Sequence, residues 1–394
     1  MKVAFVSVFP PNTNGIGDYT HDLARSIIDR GGDVIVLGDH AGEKTVDVPV
    51  DRCWTTRGDW GPDVVAGAVR NGADIVHFQH GGYMGRDQRL PAALEALREK
   101  GIRTVVTMHG VYPHKGRSLI APHKWPPPKF HKALGDAADA VLIHQKASAY
   151  DPLVEAGVDA AKIAIIPHGT PTVPAVDARA ARERLKLAPD KKLALFLGFI
   201  EFTKGVDTVV RAFRNVVREV PDAQLVIAGR IEQNDIADKV YGRVLGWLVK
   251  RGRREGWIDY RPGYLPAADI PDYIAAADVM VFPYRQKHGS ASGILHRTFA
   301  AGRPVVCSAG PKFVDAAASL GDDASVVLPP PGDTRAWAAS LTRVLGDDAL
   351  RARVAKVSAE LGRKSAWPVV ADQHLALYGE LIAREGRVRH TNTR

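Results

Sequence analysis

Short apolar runs alternate with amphipathic segments along the whole chain. Runs that are apolar at every position predict strands buried on both faces, as in parallel sheets covered by helices. The alternation runs through the first 170 residues and restarts near residue 193. The predicted strands are Val3–Phe9, Asp33–Leu37, Ile75–Phe78, Thr104–Met108, Ala140–Ile143 and Ile163–Ile166, then Leu193–Leu197, Gln224–Ala228, Trp257–Tyr260, Val279–Phe282, Val305–Cys307 and Ser325–Val327.

Two successive strand–helix series predict two doubly wound α/β domains. The break lies in the proline-punctuated segment 170–174, which precedes a charged helix. We expect an N-terminal Rossmann-like domain over 1–175 and a C-terminal one over 176–367. A C-terminal helix, within 368–394, is expected to pack back on the first domain and to end in a basic tail.

Composition narrows the class of protein. The fractions of hydrophobic (45%) and charged (25%) residues exclude a disordered chain, and the net charge of +9 favours anionic ligands or surfaces. Two cysteines exclude a disulfide framework. No apolar stretch reaches the ~20 residues that span a bilayer. We therefore expect a cytoplasmic protein.

A glycine-containing segment follows the first predicted strand. Gly15 and Gly17, with Asp18 and Tyr19, come before a helix predicted to begin near Thr20. Glycines let backbone amides approach a ligand, and the helix start offers an anion site. Thr20 occupies the sixth position of the dinucleotide fingerprint, where a third glycine is needed. A plain turn between strand and helix remains the alternative.

Histidines stand at the ends of several predicted strands of the first half. They are His77, His80, His109, His144 and His168. No carboxylate partner or ligand spacing supports a metal site. Hydrogen bonding to a polyhydroxylated or phosphorylated ligand is therefore favoured over metal binding, and purely structural histidines are the other alternative.

Two loops of the second half combine positive charge with a helix start. Lys204 comes just before the helix Thr208–Val217, where a cation and backbone amides can hold a phosphate together. The segment 284–293 carries Arg285 and Lys287 and is rich in glycine and serine before the helix Ile294–Ala301. A solvated lysine and a loop without a role are the alternatives.

Taken in order, these segments resemble glycosyltransferase family 4, the retaining enzymes with the GT-B fold of two Rossmann-like domains facing across a cleft. The resemblance covers nearly the whole chain. It is carried by Phe9-Pro10-Pro11 with Gly15–Tyr19, Thr107-Met108-His109-Gly110, Ile166-Pro167-His168-Gly169, Lys204-Gly205-Val206-Asp207, Leu225-Val226-Ile227-Ala228-Gly229, Pro262-Gly263-Tyr264, Ala277-Asp278-Val279 and Phe299-Ala300-Ala301-Gly302-Arg303-Pro304-Val305-Val306.

The resemblance implies transfer of a hexose from a nucleotide-diphosphate sugar, UDP- or GDP-linked, to an acceptor hydroxyl, with retention of configuration and without a cofactor or metal. The donor would bind the C-terminal domain and the acceptor the N-terminal one. The implied catalytic residues are His109 and Asp18. The donor diphosphate and sugar would contact Gly17, Lys204, Ser290, Ala291, Ser292, Gly293, Ile294 and Arg297, the base and ribose Arg230, Gly263, Tyr264 and Leu265, and the acceptor Tyr19, His80 and His144.

The chain departs from the family at three positions. Gly289 and Arg297 occupy the places of two family glutamates, and Phe199 stands where an arginine often follows the strand. Arginine cannot accept hydrogen bonds from ribose hydroxyls. The donor is therefore held differently, or activity is lost. A nucleotide-sugar epimerase, a phosphorylase and a catalytically silent GT-B binding protein remain alternatives, and the incomplete fingerprint disfavours a nicotinamide dehydrogenase.

Two basic stretches, Lys239–Arg254 and Arg117–Lys132, also contain tryptophan. A helix packed on its sheet and a loop over the cleft are the favoured interpretations. Docking on anionic lipid at the inner face of the membrane is the alternative. Nucleic acid is not an expected partner, because no recognised binding motif accompanies the charge.

Overall fold

The computed structural model describes residues 1–10, 14–40, 47–84, 89–111, 129–232, 236–285, 292–310, 321 and 323–391. These residues form two compact units. The first consists of the described parts of 1–169 together with 367–391, and the second of the described parts of 170–366.

The first unit is built on seven parallel strands. Their order across the sheet is β3-β2-β1-β4-β5-β6-β7, and Val3 of the central strand pairs with Val34 on one side and Ile75 on the other. The order reverses between β1 and β4, so the loops that follow these strands diverge and leave a crevice at the carboxyl edge. The strands are β1 (Lys2–Ser7), β2 (Asp33–Asp39), β3 (Val50–Trp54), β4 (Ile75–His80), β5 (Arg103–Met108), β6 (Ala140–Ile143) and β7 (Ile163–Ile165).

Helices cover both faces of this sheet. One face is packed by α1 (Gly15–Ile28) and by a helix far along the chain, Trp367–Thr391, which buries Val370, Ala371 and Tyr378. The other face is covered by α2 (Gly61–Arg70), α3 (Arg89–Glu99), α4 (Phe130–Ala137) and α5 (Lys146–Glu155).

The second unit repeats the design with five parallel strands in the order β10-β9-β8-β11-β12. The order reverses between β8 and β11, which again opens a crevice at the carboxyl edge. The strands are β8 (Lys192–Leu197), β9 (Ala223–Gly229), β10 (Ile258–Pro262), β11 (Val279–Phe282) and β12 (Val305–Cys307). The helices are α6 (Ala178–Arg184), α7 (Val206–Glu219), α8 (Ile236–Arg254), α9 (Ile270–Ala276), α10 (Gly293–Ala300), α11 (Ala324–Val327), α12 (Thr334–Gly346) and α13 (Asp348–Lys364). The helix Trp367–Thr391 is α14.

The structure corrects three local predictions. Ser325–Val327, expected as a strand, lies in helix α11, because so short an apolar run does not distinguish a strand from a buried helical turn. Strand β3 was not predicted, since Asp51 and Arg52 interrupt its apolar pattern. Helix α1 begins at Gly15 rather than near Thr20, because the Asn14 side chain accepts the Ile16 N–H (2.8 Å) and caps it.

Within the described residues, no helix is both long enough and apolar enough to cross a membrane.

Candidate functional site

Three of the predicted histidines of the first unit contact Tyr19 near the start of α1. His109 and His144 directly follow the neighbouring strands β5 and β6, so both stand at the carboxyl edge of the sheet. The Tyr19 ring contacts both, with ring centroids 4.8 Å from His109 and 5.0 Å from His144, and it also contacts His168 at 4.9 Å. The structure therefore brings three of the predicted residues, Tyr19, His109 and His144, into one buried cluster.

Burial keeps the imidazoles of this cluster neutral. It lowers the pKa of His109 well below its usual value and lowers that of His144 to about 3. His109 Nε2 lies 2.8 Å from Gln79 Oε1, and a carbonyl oxygen can only accept, so this nitrogen carries the hydrogen and Nδ1 is an acceptor. Sequence reasoning missed Gln79, which β4 places beside His109.

Two polar atoms in the cluster face the interior unsatisfied. His144 donates its Nδ1–H to the Ile166 carbonyl (3.0 Å), which leaves Nε2 as an acceptor, and this atom has no partner among the described residues. The Tyr19 hydroxyl is likewise buried and without a partner there, and burial raises the pKa of Tyr19. Such orphaned groups are costly unless a ligand or water completes them.

His80 does not join this cluster. It ends β4 one residue after Gln79, and successive side chains of a strand point to opposite faces of the sheet. Its ring packs on Phe130 of α4 (5.6 Å between centroids), on the face away from α1. His77 is also structural: its ring nitrogens bond to the Tyr378 hydroxyl (2.6 Å) and the Thr107 hydroxyl (2.7 Å).

Gly17 and Asp18 lie in the first turn of α1 rather than in a loop. A Cβ on Gly17 would lie 2.8 Å from the Val8 carbonyl oxygen, so this glycine lets the helix start sit against the chain that leaves β1. Asp18 is exposed, while its neighbour Tyr19 is buried. Asp18, the residue predicted to be catalytic, and Tyr19, the residue predicted to contact the acceptor, therefore lie on different sides of the helix.

In the second unit, Lys204 lies above an aromatic ring that links it to the start of α10. Its Nζ is 4.1 Å from the centroid of the Tyr284 ring, and the Tyr284 hydroxyl is 3.3 Å from Ser292 Oγ. Ser292 is the N-cap of α10, where it accepts the Leu295 N–H. The loops that follow β8 and β11 thus bring together the lysine and the described end of the serine-rich segment. Ser290 and Ala291 lie outside the described residues.

The backbone before α7 is shaped by glycine and held by an arginine. Gly205 has φ +63°, and a Cβ there would lie 2.1 Å from the Pro283 carbonyl oxygen, so only glycine allows the two loops to pass this closely. Arg285 donates to the Asp207 carboxylate (2.7 Å) and to the Phe202 carbonyl (3.1 Å). Arg285 therefore fixes the segment that carries Lys204. Sequence reasoning singled out neither this role nor that of Tyr284.

The residues predicted for base and ribose follow the next strands of the same sheet. Arg230 follows β9, pairs with Glu232 (2.8 Å) and lies over the Phe199 ring at 5.6 Å. Gly263 follows β10, with Tyr264 64% exposed and Leu265 packed against the core. Strands lie about 4.8 Å apart, so β10 is about 10 Å from β8. This spacing is suited to a base and a diphosphate of one nucleotide.

Helix α10 presents Gly293 at its exposed first position, with open space around it, followed by Ile294. Arg297 lies one turn further on and is partly buried. In the part of the chain that the structure describes, no group of three or more histidine, cysteine or acidic side chains is placed to hold a metal ion.

Two family models match the chain. Residues 14–169 match the glycosyl transferase 4-like domain, and residues 191–347 match glycosyl transferases group 1, so together the models cover most of the sequence. The chain belongs to the family 4 glycosyltransferases. It is an enzyme that transfers a hexose from a nucleotide-diphosphate sugar to an acceptor.

Relatives with described activities cover the chain to different extents. A D-inositol 3-phosphate glycosyltransferase of Xylanimonas cellulosilytica is 27% identical over 97% of each chain. A phosphatidyl-myo-inositol mannosyltransferase of Mycobacterium leprae is 33% identical over 50% of this chain and 48% of its own.

Solved structures confirm the GT-B fold. Anabaena Alr3699/HepE in complex with UDP has a TM-score of 0.75 at 16% identity, covering 96% of this chain and all of its own. Sucrose-phosphate synthase of Thermosynechococcus elongatus also has a TM-score of 0.75, at 20% identity over 98% of this chain and all of its own.

Proposed function

We propose that this enzyme transfers a hexose from a UDP- or GDP-linked sugar to a hydroxyl of a polyol acceptor, with retention of configuration and release of the nucleoside diphosphate. The observation that supports the proposed donor site is that Lys204, Tyr284 and Ser292 lie together at the carboxyl edge of the second sheet. This is the edge at which open parallel sheets bind ligands.

The leaving diphosphate is neutralised by the protein itself in this proposal. Lys204 supplies a positive charge, and the start of α10 supplies backbone N–H groups and the positive end of the helix dipole. Preorganised donors of this kind stabilise the charge that develops as the sugar leaves. The reaction then needs neither a metal ion nor a cofactor, and Gly17 and Arg297 are proposed as further donor contacts.

The proposed acceptor site is the cluster of Tyr19, His109 and His144. The unsatisfied Tyr19 hydroxyl and His144 Nε2 are a donor and an acceptor that suit sugar or cyclitol hydroxyls. The relatives named for inositol phosphate and phosphatidylinositol substrates support an inositol-type acceptor. His109 is proposed to orient the reacting sugar as a neutral imidazole, with Asp18 assisting the acceptor hydroxyl.

Base and ribose are proposed to lie against Gly263, Tyr264 and Leu265, with Arg230 beside them. The exposed Tyr264 ring gives a nucleobase a stacking surface. We further propose that the enzyme works in the cytoplasm and touches the inner face of the membrane. Both cysteines, Cys53 and Cys307, are unpaired, as is usual in a reducing compartment.

Calorimetry with the Lys204→Ala variant tests the donor site. Binding of UDP, GDP, ADP and dTDP is measured first, and the diphosphate that binds tightest is then titrated into the variant. Loss of the charged partner should weaken binding by about 2 kcal/mol, or about thirtyfold. Lys356→Ala, which removes an exposed lysine of α13, is the matched control and should bind as the parent does.

Unchanged affinity in Lys204→Ala would refute the placement of the diphosphate. Turnover of the donor sugar with release of a nucleoside diphosphate only when an inositol or inositol phosphate is present is the expected activity. Isomerisation of the donor without an acceptor would identify an epimerase instead, and dependence on inorganic phosphate would identify a phosphorylase. A folded protein that binds none of the diphosphates would be identified as a catalytically silent GT-B binding protein.

A further inference from the structure

Helix α8 carries apolar side chains on the face that it turns to solvent. Val240, Val244 and Trp247 are 53%, 42% and 72% exposed, and their spacing of four and three residues puts them in one stripe. The opposite face is buried against the sheet through Tyr241 and Leu245. Single exposed valines are ordinary, but a continuous stripe that includes a tryptophan marks a contact surface.

Positive charge borders this stripe. Lys239, Arg243 and Lys250 are exposed and lie along one side of it, about 60–100° around the helix from Val240. Further arginines continue the charge at the C-terminal end of the helix, and residues 239–254 contain no acidic residue. We call the surface formed by Val240, Arg243, Val244, Trp247 and Lys250, with Lys239 at its margin, the outer face of α8.

We propose that the outer face of α8 docks on an anionic membrane. Its valines and tryptophan would enter the boundary between headgroups and acyl chains, and its lysines and arginine would pair with lipid phosphates. The charge argues against a second copy of the chain, because a self-complementary contact would bring like charges together. Tryptophan is enriched at this boundary, since its ring is apolar and its N–H is polar.

The same helix also holds the segment that carries Lys204. The Tyr241 hydroxyl accepts the Asp207 N–H (3.2 Å), and the Asp238 carboxylate accepts the Phe202 N–H (3.1 Å). Docking through α8 would therefore anchor the proposed donor site at the lipid surface, a consequence that rests on the proposed function. The docking itself does not, so it is tested by binding rather than by activity.

Vesicle sedimentation with the full-length protein tests the proposal. We expect binding to vesicles of phosphatidylcholine mixed with phosphatidylglycerol, weak binding to phosphatidylcholine alone, and loss of binding at high salt. The Arg243→Gln/Lys250→Gln variant should bind the mixed vesicles about 25-fold more weakly, from about fivefold per cation. The Val244→Ser/Trp247→Ser variant should lose binding at equal charge.

The matched control is Arg214→Gln/Arg218→Gln on α7 of the same unit. These arginines are also exposed, but the described side chains of α7 include no exposed large apolar residue. The control should bind as the parent does. Equal weakening in the control would mean that only the net charge matters, and it would overturn the assignment to α8.

Fluorescence gives a second measurement. Trp247 is 72% exposed, whereas the other tryptophans in the described ranges are at most 8% exposed. The difference spectrum between the parent and Trp247→Phe should therefore shift to the blue on adding anionic vesicles and be quenched by brominated lipid. No shift, or a dimer in light scattering that Trp247→Ser converts to a monomer without any vesicle binding, would overturn the proposal.

Discussion

Acidification should destabilise the first unit, because burial there lowers the pKa of histidines that become charged when the chain unfolds. His144 and His374 have pKa values lowered to about 3 and about 4. The unfolded chain binds these protons from about pH 6.5 downwards, whereas the folded chain does not. Stability is therefore complete above this pH and falls as the pH decreases towards the folded pKa values.

The size of this loss of stability follows from the pKa values of His144 and His374. At about pH 5, each histidine lowers the free energy of unfolding by about 2 kcal/mol relative to about pH 8, or about 4 kcal/mol for the pair. His77 and His109 act in the same direction, since burial lowers their pKa values too. His21 acts in the opposite direction, because its hydrogen bond to Asp22 raises its pKa.

His374→Leu isolates one of these contributions. The His374 ring is buried in α14 and donates only to the Val370 carbonyl of its own helix (2.7 Å), so leucine fills the site without a titrating group. Urea unfolding is monitored by pulsed amide hydrogen exchange, read on peptides from β4 and β5, so that the unfolding of the first unit is measured separately. The loss between about pH 8 and about pH 5 should shrink by about 2 kcal/mol in the variant.

Leu381→Ala, which removes a buried apolar side chain of α14 and no titrating group, is the control and should lower the free energy of unfolding by the same amount at both pH values. If His374→Leu showed the same pH dependence as the parent, then His374 would be charged or hydrated in the folded protein. The argument from burial would then be refuted.

Two glycine pairs give further predictions. In chemical denaturation, Gly205→Ala should lower the free energy of unfolding by at least about 2 kcal/mol, because its Cβ would clash with the neighbouring loop, and it should abolish diphosphate binding. Gly256→Ala is the control: its φ is also positive but it lies in open space, so the free energy of unfolding should fall by only about 1 kcal/mol and diphosphate binding should be unchanged. Gly17→Ala should destabilise the first unit by about 1–3 kcal/mol, whereas Gly15→Ala, with nothing within 4 Å, should be neutral or stabilising; equal thermal shifts in this pair would contradict the packing argument.

The parallel sheets could be predicted because their strands are apolar on both faces. Val279–Phe282 and Ala140–Ile143 have the predicted bounds. The edge strand Val50–Trp54 could not be predicted, since an edge tolerates the polar residues that conceal it. The apolar run at 325–327 was predicted as a strand but is helical, because for so short a run the packing on α12 decides between helix and strand.

The candidate site was only partly predictable. Sequence order places Lys204 and Ser292 after strands, but their proximity depends on β8 and β11 being neighbours, which requires the strand order. Strand alternation could have separated His80 from His109, because Gln79 takes the position that faces His109. Tyr284 carried no recognisable signal, since an aromatic residue after a strand is ordinarily core.

Helix α14 completes the first unit although the whole second unit precedes it in the sequence. The ring of Trp367, its first residue, lies where a Cβ on Gly169 would be, and Tyr378 closes over His77. At translation rates of about 5–20 residues per second, the ribosome needs roughly 10–45 s to pass from residue 170 to residue 391. During that time the part of the apolar face of β1 and β4 that α14 will cover is packed only by α1, so the nascent first unit exposes apolar surface of the kind that chaperones bind.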